Sequence, residues 1–391
     1  MNQPSIKILQ LTSIQVEAQP AATITDLLKA SHFDTLLETH PAQTLTCRLP
    51  LDIDHTPAEN RLFFGNSSRH FRSDYHFPST HLAALPHSRL IGEEYILLSG
   101  RNQIIEESYS GDHILQQGGR FLRQQLKIDL GEGQQTVPFV LFREQGPPRE
   151  IDRSCLLPTH YWHFNYHHWL IECLPRLRAA LETPELADCA VIMPASLSRF
   201  QQDILALLGI PPERLLPFDG SDWRTEQLYF PSIGTFAPHE LRWGRQQLLA
   251  AAPINPGRPA TRRLYISRAD AVTRRVINEA EVVAYLTGQG FEIITLTGMP
   301  LQQQIALFAE AEVIIGPHGA GLTNILFAPR EATLIELMPN DQVNHCFWLM
   351  TNALGQDYTF IAGPGVNEQR DFSISLPRLR QVVATLLSSY P

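Results

Sequence analysis

The sequence predicts an α/β protein that contains a parallel, doubly wound sheet. In its second half, short apolar runs rich in β-branched residues alternate with segments of helical periodicity, such as Leu301, Ile305 and Phe308. The connections between these segments are short, and repeated βα units of this kind are typical of parallel sheets covered by helices. We therefore expect ligands at the carboxyl ends of the strands, where open α/β sheets bind them.

The chain is long enough for two domains, and a proline-rich stretch marks their boundary. It has 391 residues, and residues 252–259 contain three prolines and one glycine. Such a segment interrupts both helices and strands. We predict an N-terminal α/β domain over residues 1–252, of which the first 90 are poorly defined, and a C-terminal domain over residues 260–391.

Strand-like and helix-like patterns can be assigned in order along both domains. In the N-terminal domain, the predicted strands are 6–11, 95–99, 136–141, 190–193, 214–217 and 227–230, and the predicted helices are 24–39, 198–208 and 239–251. In the C-terminal domain, the predicted strands are 264–267, 291–295, 313–315, 333–337 and 358–361, and the predicted helices are 279–288, 301–308, 322–328, 344–354 and 375–390. Asn278 with Glu281 resembles a capping box. The last helix is expected to pack back on the first domain or on the second.

Composition and charge exclude several classes of protein. The net charge is −9, which disfavours nucleic acid as a partner. The chain contains no apolar run of about 18 residues and begins without the pattern of a signal peptide. Its five cysteines form no C-x-x-C pair, so we expect reduced thiols and a cytoplasmic location. Peripheral association with the inner face of a membrane stays open, as does the oligomeric state.

The most informative stretch is the glycine turn, which we define as residues 316–321, between a β-branched run and a short helical run. Its three glycines allow another molecule to approach the backbone closely. The helix that follows presents free N–H groups and the positive end of its dipole. This arrangement is typical of an anion-binding loop, although a tight turn between a strand and a helix explains the same residues.

Two further features are expected at the same edge of the sheet. Ser267 ends the strand 264–267 and Arg268 directly follows it, within a segment that holds six arginines and one acid. A guanidinium suits bidentate contact with phosphate. Glu336, near the end of strand 333–337, is placed to accept hydrogen bonds from a ribose. A solvated basic loop is the alternative for the arginines. The G-x-G-x-x-G and P-loop spacings are both absent, so neither a nicotinamide dinucleotide nor a P-loop nucleotidase is favoured.

The N-terminal half contains a histidine-rich run, with four histidines between His160 and His168. Helical spacing places His163 and His167 on an apolar stripe, where packing explains them. His168 and Glu172 fall beside it at i and i+4. A carboxylate that fixes one imidazole nitrogen leaves the other free to accept a proton, which is the arrangement of a general base. Pro175 is expected to kink this helix. A zinc site is disfavoured because neither H-E-x-x-H nor paired cysteines occur.

Three motifs together resemble glycosyltransferase family 61. They are N-Y-H-H-W-L-I-E-C-L-P-R-L, Y-I-S-R-A-D-A-V-T-R-R-V-I-N-E and H-G-A-G-L-T-N followed by L-I-E-L-M-P, over roughly residues 155–340. The resemblance implies a GT-B fold, in which two Rossmann-like domains face each other across a cleft. It also implies a nucleotide-sugar donor, usually a UDP-sugar, and inversion without an obligatory metal. The lack of a signal or anchor segment makes the chain more similar to bacterial relatives of capsular or exopolysaccharide synthesis.

These inferences combine into an expected function with assigned residues. We expect an inverting glycosyltransferase that moves a sugar from a UDP-sugar to a hydroxyl of a glycan or lipid-linked glycan, with no cofactor and no metal. His168 would be the base, oriented by Glu172. The expected donor-binding residues are Ser267, Arg268, Arg275, His318, Gly319, Ala320, Gly321, Asn324 and Glu336. The alternative is a non-catalytic nucleotide- or sugar-binding module of a polysaccharide assembly complex, in which His168 and Glu172 would be idle.

Overall fold

The computed structural model describes residues 6–12, 35–51, 62–63, 74–100, 104–105, 108, 121–129, 134–143, 146–232, 234–254, 259–341 and 343–388. The chain folds into two compact units. The first consists of Met1–Ala42 and Pro78–Gly234, and the second of Gln43–Phe77 and Thr235–Pro391. This division differs from the predicted one in two places, since residues 43–77 belong with the C-terminal half and the boundary precedes residues 252–259. The functions assigned to the two domains stay predictions.

The strands have the following bounds. Up to residue 151 they are β1 (Ile6–Thr12), β2 (Thr35–His40), β3 (Gln43–Thr46), β4 (Asp74–Phe77), β5 (Thr80–Pro86), β6 (Arg89–Ile91), β7 (Ile96–Leu98), β8 (Ile104–Ile105), β9 (Phe121–Asp129), β10 (Gln134–Arg143) and β11 (Arg149–Ile151). After it they are β12 (Cys155–Leu156), β13 (Ala190–Pro194), β14 (Leu215–Phe218), β15 (Asp222–Thr225), β16 (Gln227–Pro231), β17 (Arg262–Ile266), β18 (Glu292–Ile294), β19 (Ala311–Pro317), β20 (Thr333–Pro339) and β21 (Asp357–Gly363).

The helices include α, 3-10 and π segments. The α-helices are Tyr166–His168, Leu174–Arg176, Arg178–Glu182, Arg199–Leu207, Pro238–Ala251, Glu279–Gly288, Leu301–Ala309, Cys346–Leu354 and Leu376–Leu387. The 3-10 helices are Tyr161–Phe164, Pro184–Leu186, Pro212–Arg214 and Ala320–Phe327, and the π-helix is Trp169–Cys173. None of the helices in the described part of the chain combines the length and apolar character needed to cross a membrane.

The first unit contains a six-stranded sheet in the order β14-β13-β12-β16-β5-β2. Its strands β14, β13, β12 and β16 are parallel, while β5 and β2 run antiparallel to their neighbours. The chain therefore leaves β12 toward β13 on one side and later returns to β16 on the other. Such a switch point opens a crevice at the carboxyl ends of the two central strands. The other sheet of this unit has the order β11-β15-β6-β7-β8-β1-β10-β9.

The second unit is built on a fully parallel sheet in the order β18-β17-β19-β20-β21. Its switch point lies between β17 and β19, so the carboxyl ends of these strands are the expected place for a ligand. One face carries an apolar core that includes Ile315 and Ile335 and the helices Glu279–Gly288 and Leu376–Leu387. The two-stranded antiparallel sheet of β3 and β4 belongs to the same unit.

The predicted α/β class and most predicted elements are confirmed, with two differences, and the structure decides between the two positions expected for the last helix. Residues 35–40 form a strand, so the predicted helix 24–39 is wrong there; its residues 24–34 lie outside the described part. Helix Leu376–Leu387 packs on the second unit, not on the first, because its apolar stripe joins the core of the parallel sheet. Helix Glu279–Gly288 begins as predicted, but the side chain of Asn278 bonds the backbone of Ile374 instead of capping it. The GT-B arrangement stays a prediction.

Candidate active site

The glycine turn lies at the switch point of the second unit and begins with the last two residues of β19. The N–H of His318 donates to the carbonyl of Leu337 at 2.8 Å, which fixes the turn to the neighbouring strand β20. The chain then enters the 3-10 helix Ala320–Phe327, with Gly319 as its N-cap. Because the first N–H groups of a helix have no partner within it, those of Gly319, Ala320 and Gly321 are suited to contact an anion.

Arg268 lies against this turn, as its position after β17 predicted. A Cβ atom at Gly319 would be 2.0 Å from Nη1 of Arg268, so the guanidinium occupies the space that any other side chain would need. The φ angle of Gly319 is 173°, which any residue adopts. The glycine therefore serves close approach, not backbone conformation. Nη2 of Arg268 donates to the carbonyl of Thr273 at 3.0 Å, while Nε is buried and has no hydrogen-bond partner among the described residues.

A cavity of about 150 Å³ opens between the glycine turn and the end of β17. It is lined by Ile266, Ser267, Arg268, Asp270, Ala271, Leu296, Thr297, Pro317, Gly319, Gly321 and Leu322. The half-buried guanidinium and the backbone of the turn thus border the same space. A buried donor without a partner is a feature that a bound acceptor explains.

A second arginine, Arg274, lies within electrostatic range of Arg268. It interacts electrostatically with Arg268 and with Glu336, and burial, followed by the neighbouring Arg370, lowers its pKa. Its backbone has φ 58°, and Arg370 has φ 59°, in the left-handed region that is unfavourable for both residues. Such strain is found where the surrounding structure enforces it, often at binding sites. Arg274 belongs to the basic segment, but its sequence position did not distinguish it from the other arginines.

Arg275 and Ser267 have structural partners within the second unit. Arg275 donates through Nη2 to Asp371 at 2.6 Å, and the hydrogen bonds from Arg275 hold the pKa of that carboxyl well below its usual range. This pair fastens the basic segment to the loop before Phe372. The hydroxyl of Ser267 donates to Glu279 at 2.9 Å, although Ser267 also lines the cavity.

Asn324 and Glu336 lie beneath the glycine turn instead of facing solvent. Asn324 is fully buried, and its Nδ2 donates to the carbonyl of Gly321 at 3.0 Å and to Gln304 at 2.9 Å. It therefore orients the turn, whereas we expected it from the sequence to bind the donor. Glu336 has 0% exposure, so its carboxylate is not presented to a ribose in this structure.

The carboxylate of Glu336 instead holds His318. Its Oε1 forms a short hydrogen bond with Nδ1 of His318, and its Oε2 accepts from the hydroxyl of Tyr358 at 2.6 Å. A carboxylate can only accept, so the proton of this contact lies on Nδ1. The ring of Phe347 packs edge-on against the imidazole at 5.3 Å. Tyr358 was not expected as part of the site, since nothing in its sequence context relates it to Glu336.

The first unit brings His168 and Glu172 together as predicted, and adds His160. Nδ1 of His168 is 2.8 Å from Oε2 of Glu172, and Nε2 of His160 is 3.0 Å from the same oxygen. The N–H of Trp162 donates to Nδ1 of His160 at 3.4 Å, which places the proton of His160 on Nε2, toward the carboxylate. The contact of His160 with Glu172 follows from the way the histidine-rich run folds, and helical spacing does not predict it.

The protonation states around this carboxylate follow from burial and hydrogen bonding. Burial by itself raises the pKa of Glu172, but contacts with His160 and His168 outweigh it and bring the pKa well below its usual range. Burial lowers the pKa of His160, so this imidazole is neutral at pH 7. The side chain of His168 is 32% exposed, and with Nδ1 bound to Glu172 its Nε2 is the nitrogen that is left to accept a proton.

The backbone of this run places the pair at the switch point of the first sheet. The run follows β12, and Asn165 accepts a hydrogen bond from the N–H of His167 at 2.9 Å. Trp169–Cys173 is a π-helix, and in it the N–H of Leu174 bonds the carbonyl of Trp169, five residues earlier. Pro175, which has no N–H, follows this π-helix within the short helix Leu174–Arg176.

Arg176 is a buried cation that sequence reasoning did not single out. Its Nε donates to the carbonyl of Pro231 at 2.8 Å and its Nη1 to that of Pro158 at 3.1 Å, which joins the ends of β16 and β12. The guanidinium packs on the ring of Phe230 at 4.6 Å. Arg176 also interacts electrostatically with Glu172. It therefore connects the ends of two neighbouring strands and stabilises the negative charge of this carboxylate.

His163 agrees with the packing function expected for it. The ring of His163 packs edge-on against Tyr95 at 5.4 Å, and burial lowers its pKa to about 4. Leu170, Leu174 and Leu177, which follow His163 at helical spacing, are buried, but Leu181 is exposed.

Comparison with known proteins agrees with the resemblance found in the motifs. The model of the family Glycosyltransferase 61 matches residues 166–335, which include His168, Glu172 and the glycine turn. A β-1,2-xylosyltransferase of Oryza sativa subsp. japonica is 38% identical over 119 residues, which are 30% of this chain and 19% of the relative. An EGF domain-specific O-linked N-acetylglucosamine transferase of Drosophila melanogaster is 31% identical over 109 residues, 27% of this chain and 21% of the relative.

An α-1,3-arabinosyltransferase of the same rice is 37% identical over 71 residues, 17% of this chain and 12% of the relative. This chain thus spans about a fifth or less of the length of these relatives. They come from a plant and an insect, and the expected relationship to bacterial capsular enzymes receives no support from them. The three transfer different sugars according to their names. Residues 166–335 of this chain are thus similar to glycosyltransferase 61 proteins.

Proposed function

We propose that this protein is an inverting glycosyltransferase that transfers a sugar from a UDP-sugar to a hydroxyl group of a glycan. The observation that carries this proposal is the cavity at the switch point of the second unit, where the Arg268 guanidinium lies against Gly319. Preorganised N–H donors and an arginine suit a leaving group whose negative charge grows as its bond to the sugar breaks. Donors of this kind can replace a metal ion at a diphosphate.

In the proposed reaction, each group has one task. His168 takes the proton of the acceptor hydroxyl through Nε2, and the acceptor oxygen then attacks the anomeric carbon. The bond between that carbon and the diphosphate oxygen breaks, and its electron pair remains on the diphosphate. Glu172 holds the imidazole through Nδ1 and stabilises the cation that forms, with His160 as a second positioning residue. The acceptor as a glycan or lipid-linked glycan, the polysaccharide context and the cytoplasmic location remain part of this proposal.

The donor-binding residues take revised roles in this proposal. Arg268 and the N–H groups of Gly319, Ala320 and Gly321 contact the diphosphate. Asn324 and Glu336 are positioning residues, since both are fully buried. Arg275 holds the basic segment through Asp371, and Arg274 takes the place that was first given to Arg275.

A thermal-shift screen over UDP-, GDP- and CMP-sugars tests the donor. Selective binding stabilises the folded state by mass action, by about 2.7 kcal/mol at a hundredfold excess over Kd. We expect a UDP-sugar to raise the melting temperature of the wild type but not of Arg268→Ala. Arg380 is an exposed arginine of helix Leu376–Leu387, and the control variant Arg380→Ala should respond like the wild type. No shift with any nucleotide sugar would overturn the proposal.

A transfer assay separates catalysis from binding alone. His168→Ala should lower kcat by about 10²- to 10⁴-fold while UDP affinity is unchanged, because general-base catalysis contributes about that factor. Turnover near that of the wild type would show that another group is the base. Binding of a UDP-sugar without transfer or hydrolysis by the wild type would favour the non-catalytic module.

A further inference from the structure

The 3-10 helix Tyr161–Phe164 presents aromatic side chains beside the proposed base. Phe164 is 55% exposed, and Tyr161 and Trp162 are half-buried. The ring centroids of Trp162 and Phe164 are 5.7 Å apart, and those of Tyr161 and Trp162 are 4.9 Å apart. We call these three side chains the aromatic patch. Because burial of apolar surface is favourable, a contiguous patch of rings that stays in contact with water is a candidate binding surface.

The aromatic patch is continuous with the imidazole of His168. The indole of Trp162 stacks on this imidazole, with ring centroids 5.7 Å apart and an angle of 25° between the two planes. The lone pair of Nε2 lies in the plane of the imidazole, so a hydroxyl that donates to it approaches along that plane. Because the indole is nearly parallel to the same plane, the molecule that carries this hydroxyl passes beside the aromatic patch.

Hydrogen bonds fix the backbone that carries the patch. The side chain of His160 accepts from the N–H of Trp162 at 3.4 Å. The carbonyl of His163 accepts from Nε2 of Gln201 at 2.9 Å, and Gln201 is only 1% exposed. His160 also contacts Glu172, so one residue positions both the patch and the carboxylate that holds the base. Preorganisation of this kind lowers the entropic cost of binding.

A pyranose ring matches both parts of this surface. The face of an aromatic ring is electron-rich. The axial C–H bonds of a pyranose form an apolar face whose hydrogens carry a small positive charge, and its hydroxyls project around the edge of the ring. Such a ring can therefore lie on the patch while one hydroxyl donates to Nε2 of His168. An open-chain polyol, or the side chain of a serine or threonine, supplies a hydroxyl without this apolar face.

We propose that the aromatic patch binds a pyranose ring of the acceptor, which stacks on Trp162 and Phe164 and directs one of its hydroxyls to Nε2 of His168. This inference rests on the proposed function, because it takes His168 as the base of the transfer. It adds to that function the residues that bind the acceptor and the ring form of the sugar that carries the hydroxyl. Trp162 also packs on the imidazole, so Phe164 is the residue at which binding of the acceptor can be tested by itself.

Saturation-transfer NMR in the presence of UDP tests the inference. The probes are the methyl β-pyranosides of D-xylose, D-glucose and D-galactose, each compared with the open-chain alditol of the same sugar. When the aromatic protons of the protein are irradiated, the axial protons on one face of at least one glycoside should be saturated more strongly than its other protons. The alditols carry the same kinds of hydroxyl but no ring, so their saturation should be much weaker.

Variants of Phe164 show whether an aromatic ring is required. Phe164→Leu should lower the affinity for the bound glycoside about two- to tenfold, since an aromatic contact contributes about that factor. Phe164→Tyr keeps the ring and should bind like the wild type. Leu181→Ala, at an exposed leucine of the same unit, is the matched control and should also bind like the wild type. In a transfer assay with that glycoside, Phe164→Leu should raise KM by the same factor and change kcat less, because the stacking is present before and during the reaction.

The outcomes distinguish this inference from the function on which it rests. Equal saturation of glycosides and alditols, no saturation of any glycoside, or wild-type affinity in Phe164→Leu would overturn the inference, while UDP binding by the wild type would still support the donor site. A loss of UDP affinity in Phe164→Leu would overturn it as well, because the patch would then stack on the uracil. If the glycoside binds through Phe164 but His168→Ala keeps wild-type turnover, binding at the patch is supported and the proposed base is wrong.

Discussion

Substitution of Gly319 by alanine tests whether the position of Arg268 governs binding. The added Cβ would lie 2.0 Å from Nη1 and 2.7 Å from Cζ of Arg268, so the guanidinium must leave its place. The backbone at Gly319 is extended, with φ 173°, so alanine causes no strain of its own there. We therefore expect a nearly unchanged melting temperature and a specific loss of binding.

The magnitude follows from the interaction that is lost. A hydrogen bond to a charged group contributes about 1.5–3 kcal/mol, so UDP affinity should fall by about 10- to 150-fold. Calorimetry measures this change, and thermal unfolding followed by circular dichroism measures stability. Gly288→Ala is the matched control, because a Cβ at this glycine of the same unit meets no atom within 4 Å.

A double-mutant cycle shows whether the effect acts through Arg268. In an Arg268→Ala background the guanidinium is absent, so Gly319→Ala should lower affinity by less than about twofold further. Two results refute the reasoning: wild-type affinity in the single Gly319→Ala variant, or a full additional loss in the double variant. The second result would mean that the Cβ excludes the ligand directly.

Three further predictions concern stability. Burial lowers the pKa of His163 in the folded protein to about 4, so the unfolded chain binds more protons below about pH 6.5 and the folded state loses stability as pH drops toward 4. The substitution His163→Phe should therefore reduce the difference between the urea midpoints measured at about pH 7.5 and at about pH 5. An unchanged difference would contradict this prediction. Arg176→Met leaves two buried carbonyls without their donor and should lower the free energy of unfolding, measured in urea, by about 2–4 kcal/mol. A decrease below about 1 kcal/mol would show that these carbonyls find other partners. Gly363→Ala places a Cβ 1.8 Å from the carbonyl oxygen of Ser373, a backbone atom that cannot rotate away. The substitution should lower the free energy of unfolding by about 1–3 kcal/mol in the same assay. Wild-type stability would indicate that residues 364–373 shift freely.

The sequence determined the local elements of the second unit because their signals are local. The β-branched runs and the helical spacing of Leu301, Ile305 and Phe308 depend on residues a few positions apart, and the structure has strands β17–β21 and helix Leu301–Ala309 there. The i, i+4 spacing of His168 and Glu172 likewise predicted their contact. Local reasoning failed at residues 35–40, where a helix-like pattern is a strand that pairs with β5, because pairing with a distant strand outweighs local propensity.

Only the tertiary structure decided which side chains share a site and which face a ligand. The sequence placed Glu336 near the end of a strand. It did not indicate that Tyr358 and His318 would form hydrogen bonds with both oxygens of this carboxylate. It contained a cluster of arginines, yet the fold pairs Arg275 with Asp371 and brings Arg274 within electrostatic range of Arg268 and Glu336. Periodicity specifies the face of an element on which a residue lies. Its partner across the sheet depends on strand order and on packing between segments far apart in the chain, which no local pattern records.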